Sequence, residues 1–142
     1  MKPEIRWGRV LIAALLSELA VVVALMTLTG IYILFSHKGS VSDLQQFGQR
    51  AGYYVAPPAA GIAVFVSALW ATRGLAANFI LNAMLVGIVA VVLTAGMVIG
   101  ARPEDRIMYI VSFVIRIIAG YLAGLAAQSR FNRTASQAGS PS

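Results

Sequence analysis

The stretch VLIAALLSELAVVVALMTLTGIYILF, from Val10 to Phe35, decides the fold of this chain. Its apolar character is broken only by Ser17, Glu18, Thr27, Thr29 and small residues. A spanning helix needs about 20 mostly apolar residues, and this run exceeds that. It is too long for a buried helix of a soluble domain. Within it stands one carboxylate, Glu18. A charge at mid-bilayer costs about 2.5–3.5 kcal/mol on insertion scales, so the residue needs a partner, a proton or a task.

Composition agrees with this reading. Of 142 residues, 59% are hydrophobic and 11% charged, with a mean hydropathy of +0.82. A soluble domain carries about 25% charged residues. One integral membrane domain is expected, over residues 1–130. There is no cysteine, and His37 is the sole histidine, beside Lys38. Disulfides, thiolate chemistry and multi-histidine metal sites are thereby excluded, and neither metal nor cofactor is expected. The net charge of +6 fits basic cytoplasmic ends near anionic lipid, with no nucleic acid as partner. Met1 to Arg9 followed by an apolar run has the outline of a signal peptide. The run outlasts an h-region of about 7–15 residues and no small-x-small site closes it, so a retained first helix is expected.

Four apolar segments follow one another, at about 9–35, 53–72, 75–99 and 107–127. None alternates with a period of two, so the sequence predicts helices, not barrel strands. The fold class is all-α: an antiparallel, up-down bundle of four transmembrane helices. Lys2, Arg6, Arg9, Arg73, Arg130 and Arg133 fall on one side; Lys38, Arg50, Arg102 and Arg106 fall on the other. The excess puts both termini in the cytoplasm. Trp7 and Trp70 then mark the inner interface, and Tyr32, Tyr53, Tyr54 and Tyr109 the outer one.

The connections differ. Residues 37–52 form the one long loop, where Ser42-x-x-Gln45 offers a capping box for a short surface helix; an irregular loop is the alternative. Arg73-Gly74 reads as a tight turn. Pro57-Pro58 either starts or kinks the second helix. Pro103-Glu104-Asp105 is a good start for the fourth. Residues 131–142, rich in Ser, Ala and Gly from Thr134 on, read as a disordered cytoplasmic tail.

Small residues supply packing faces, since lipid gives helices little hydrophobic reason to associate. These are Ala59, Ala63, Ser67 and Ala71; Ala83 with Gly87; Gly96 with Gly100; and Gly120 with Gly124. They serve either within the monomer or in a homo-oligomer.

The polar residues inside the spans carry any further chemistry. At 1.5 Å per residue, Glu18 lies about 13 Å beyond Arg9, and Asn82 equally deep beyond Arg73. Arg116 lies about 21 Å from Arg130, leaving an axial gap to Glu18 of about 7–8 Å. An arginine side chain can span much of that. A Glu18–Arg116 pair is therefore expected, with Asn82 supplying a hydrogen bond and Ser17 adjoining. Such a pair can simply fix which helices meet. Alternatively, Glu18 binds a proton or cation, or the two charges never meet. No nucleophile motif, phosphate loop or metal-ligand spacing is present, so an enzyme is not expected.

Ala14-x-x-x-Glu18 in a first helix resembles the small multidrug resistance transporters, where that step carries the proton- and cation-binding carboxylate. The family's lysine and proline features after the first helix, and its third-helix tryptophan, are missing. Arg116 has no counterpart there. The helix count, the Ala71-Thr-Arg-Gly74 turn and the Gly-rich fourth helix ending at Ser129-Arg130 look more like small four-helix bacterial membrane proteins of uncharacterised function. That resemblance implies residence in a bacterial inner membrane and no particular activity. Two readings result: a non-enzymatic accessory or assembly component, partnered by lipid and by its own copies or another membrane protein; or a minimal dimeric proton- or cation-coupled transporter using Glu18.

Overall fold

The computed structural model describes residues 5–36, 40–103 and 105–138. Lys2, His37, Lys38, Glu104 and the last residues of the tail, 139–142, lie outside the described residues. Everything regular among the described residues is helical. In order the elements are α1 (Trp7–Phe35), α2 (Val41–Tyr54), α3 (Ala56–Ala71), α4 (Phe79–Gly100) and α5 (Arg106–Ala138).

Three of these, α1, α4 and α5, are each long and apolar enough to cross a membrane, and α2 with α3 passes the same test as a pair bent by 51°. Leu11, Leu15, Leu19, Val23 and Met26 all point outward from α1, and Ile62, Val66, Val92 and Ile118 do so elsewhere. Apolar surface on that scale is untenable in water and natural in hydrocarbon, which supports a membrane protein.

Local chemistry explains the breaks. Ser40 caps α2: its hydroxyl accepts from the Asp43 N–H, and the Asp43 carboxylate accepts from the Ser40 N–H. The capping box thus falls at Ser40-x-x-Asp43, two residues before the expected Ser42-x-x-Gln45, and a helix, not an irregular loop, fills this connection. It also absorbs Tyr53 and Tyr54, so the second apolar segment begins at Ala56, not 53. Pro57 and Pro58 sit in the first turn of α3, where a missing N–H costs nothing. They start that helix.

Between α3 and α4 the chain takes seven residues, 72–78, in place of a two-residue turn. Gly74 (φ 73°) and Asn78 (φ 59°) both adopt the left-handed region that glycine and asparagine tolerate. At the other end, α5 continues through residues 131–138, which the sequence reading places in a disordered tail. Phe131 packs its ring against Phe79 at 5.3 Å, giving the extension a tertiary anchor.

Packing is uneven. α5 lies against α4 and α3, and α1 lies against α3 and, more lightly, α4; α1 and α5 are not closely packed on each other. The core is made of small side chains: Ala13, Ala14, Ala60, Val64, Ala68, Ala83, Val86, Ala90 and Ala123. The closest seam joins α4 and α5. A Cβ at Gly120 would stand 2.7 Å from the Ala83 carbonyl oxygen, and one at Gly87 would stand 2.6 Å from that of Arg116. Backbones approach this closely only where side chains are absent.

Candidate functional site

The site begins with Gly87. Because the Arg116 backbone rests on it, the guanidinium is carried up α4 to Ala90 and Thr94, which lie three and seven residues on, along the same face. There Nη1 donates to the Ala90 carbonyl at 3.2 Å and to the Thr94 hydroxyl at 2.6 Å. The Thr94 hydroxyl in turn donates to the Ala90 carbonyl at 2.9 Å. Across the gap, Nη2 donates to Glu18 Oε2 at 3.2 Å, and Nη1 stands 2.7 Å from Oε1. Nη1 has two hydrogens and both point at α4, so its approach to Oε1 is electrostatic. That is why Oε1 has no directed hydrogen bond, and Arg116 Nε also lacks one.

This is the one salt bridge among the described residues, and it is buried: the arginine side chain is 7% exposed and the glutamate 20%. The expected pair is therefore present. It joins α1 to α5, which are not closely packed on each other, and α4 braces it.

Its expected neighbours lie elsewhere. Asn82 is fully buried but accepts from the Arg6 N–H at 3.0 Å and donates to the Asn78 carbonyl at 3.1 Å. It thus caps the start of α1, about 18 Å along α4 from Thr94. Ser17 turns its hydroxyl back onto the Ala14 carbonyl and does not reach the pair. Thr94 takes the part expected of Asn82. Depth counted from Arg73 could not reveal this, because the long 72–78 connection shifts α4 relative to the count. The signal that would have done so is the Gly87, Ala90, Thr94 spacing.

The small-residue faces divide likewise. Gly120 and Gly124 sit in the α4–α5 seam, whereas a Cβ at Gly96 or Gly100 would meet nothing within 4 Å. Those two glycines face outward, beyond the seam. On α3, Ala71 is buried, but Ala59, Ala63 and Ser67 are only half-buried; the packed stripe is Pro57, Ala60, Gly61, Val64, Ala68 and Ala71. The packed face is offset by about one position from the expected one, and on it Gly61 faces Ile115 of α5, which an added Cβ would meet at 2.6 Å.

Beyond the pair opens a cavity of about 430 Å³. One stripe of α1 lines it (Glu18, Val21, Val22, Leu25), and Asp105, just before α5, with one stripe of α5 faces that (Met108, Tyr109, Ser112, Phe113, Arg116). Both follow i, i+3, i+4, i+7 spacing, so each is a single helix face. The α2–α3 bend closes a third side with Gln49, Gly52, Tyr53, Ala56 and Pro57. No buried residue of α1 lies beyond Val21, so this is where α1 leaves the packed core. No cluster of potential metal ligands exists among the described residues.

The chain matches no family model, and neither curated proteins nor solved structures give a match. The class it belongs to rests on its own features: helical, apolar on the outside, with one internal ion pair.

Proposed function

We propose that the protein is a non-enzymatic membrane component, a bundle with four crossings and both termini in the cytoplasm, acting in assembly or as an accessory subunit in a bacterial inner membrane. The observation that carries this reading is the engagement of Glu18. Its carboxylate faces a guanidinium already tied to two groups of α4, so one cluster fastens three helices. Such a carboxylate is occupied, which suits a clamp better than an exchange site. The ends agree: Arg6, Arg9, Arg73 and Arg130 lie toward the end where α1 starts, and Arg9 donates to the Arg73 carbonyl there. A homo-oligomer or a second membrane protein would be the partner, using the outward Gly96–Gly100 face or the α5 extension.

The test is a charge-removal cycle. Glu18→Gln and Arg116→Gln each leave the other charge buried and unpaired, worth about 3–5 kcal/mol. The double variant should recover much of that in folded yield from maltoside micelles. A double variant no better than the worse single one sinks the clamp.

A second reading is favoured by one feature: Glu18 also lines the cavity. A proton- or cation-coupled transporter would use it as the coupling carboxylate. Hydrophobic cations should then release protons from the purified protein, and release that survives Glu18→Gln would exclude this reading.

A further inference from the structure

The far mouth of the cavity holds two opposite charges that the clamp does not use. Arg102 is exposed and Asp105 half-buried, and both line the cavity. Neither has an ion-pair partner among the described residues, although they are three residues apart in sequence. Asp105, immediately before α5, lies eleven residues before Arg116, so about 16 Å separates mouth from floor. Between them the walls are chiefly apolar: Val21, Val22, Leu25, Met108 and Phe113. The floor charges neutralise each other. What remains is an apolar trough of about 430 Å³ whose rim carries, among the described residues, the cation of Arg102 and the anion of Asp105. That volume falls within the ~300–1,000 Å³ typical of small-molecule sites.

We infer that this cavity binds a zwitterionic amphiphile, its anionic group on Arg102, its cationic group on Asp105, and its apolar body along Val21, Leu25, Met108 and Phe113. A purely anionic or cationic ligand would satisfy one rim charge and crowd the other with like charge. A fully apolar one would cover both and leave them unsolvated, which is costly. Only a ligand carrying both signs answers the rim, and only one with an apolar body answers the walls. The inference does not rest on the clamp or the transporter reading, because Arg102 and Asp105 take part in neither.

The experiment titrates the purified full chain in maltoside micelles and counts bound molecules by native mass spectrometry. The probes are lysophosphatidylcholine, lysophosphatidylglycerol, a long-chain trimethylammonium salt and free phosphocholine. Lysophosphatidylcholine should bind saturably, one per chain, about tenfold tighter than either singly charged amphiphile, the scale of one charge–charge contact near a protein surface. Arg102→Gln and Asp105→Asn should each weaken it by about tenfold for the same reason. Both are changes at a helix approach that leave the Glu18–Arg116 pair in place, so folded yield and binding are separate readouts. If free phosphocholine does not compete at equal concentration, the apolar body is needed and the amphiphile site stands; if it competes equally, the walls contribute nothing and the amphiphile site is overturned. Equal affinity for all three amphiphiles, or variants that bind like the parent chain, overturn it, and the headgroup comparison on the parent chain needs no variant to fold.

Discussion

Two glycines on neighbouring helices should respond oppositely to the same methyl group. At Gly120 an added Cβ would stand 2.7 Å from the Ala83 carbonyl oxygen and 3.3 Å from the Met84 Cα. Ordinary contact starts at 3.4 Å, so α4 and α5 must separate by about 0.7 Å there. The obstacle is backbone and cannot swing aside. Overpacking of this kind costs about 1–3 kcal/mol. At Gly96 the added methyl meets nothing within 4 Å. Both sites are helical, and alanine gains about 0.8–1.0 kcal/mol over glycine in a helix interior. That gain is common to the two variants, so their difference isolates the steric term. Gly120→Ala should be about 1–3 kcal/mol less stable than Gly96→Ala, measured by reversible denaturant unfolding in one detergent. Two variants equal within about 0.5 kcal/mol would refute the α4–α5 seam as drawn.

Thr94→Val removes the hydroxyl that accepts from Arg116 while keeping its shape, and should cost about 1.5–3 kcal/mol, whereas Thr94→Ser should stay near the parent in the same unfolding assay. Asn82→Ala frees the Arg6 N–H, so hydrogen exchange should rise in the first turn of α1 and leave the Glu18 region unchanged. Phe47→Ala removes the ring stacked on Tyr32 at 4.0 Å, worth about 0.5–1.5 kcal/mol, and should speed proteolysis within α2 without lowering global stability equally. Phe131→Ala should fray residues 131–138, read as lost helical signal from spin labels placed there; a parent chain already unordered at those positions would remove the α5 extension.

How much of this was legible in the sequence depended on whether the deciding interaction was local. Apolar run length alone placed α1, α4 and most of α5, because length against bilayer thickness is a one-dimensional criterion. The Glu18–Arg116 pair was also legible, since two expensive charges at similar depth have few other partners. Tertiary contacts decided the rest. Nothing near Asn82 announces that its carboxamide caps α1, and nothing in 131–138 announces that Phe131 will find Phe79. Gly96-x-x-x-Gly100 and Gly120-x-x-x-Gly124 are equivalent as sequence, yet only the second pair has a helix in front of it. The cavity was illegible for a similar reason: its walls are stripes from helices far apart in the chain.

Clamp and cavity follow from one geometric fact. α1 and α5 are not closely packed on each other, while α3 and α4 each pack against both. A gap of that width can be closed only by long side chains reaching from both sides. Glutamate and arginine together are long enough, and at Glu18 and Arg116 they close it. One turn further on, the facing positions are Val21 and Val22 on α1 and Ser112 and Phe113 on α5. The valines and the serine are short, and Phe113 stands as a wall of the space, so a cavity persists there up to the rim. The pair is therefore both what ties α1 to the rest of the fold and the floor of the space above it. Shortening the floor removes the tie, while lengthening the walls fills the space and leaves the tie intact. Structure and binding can thus be altered separately at positions three to four residues apart.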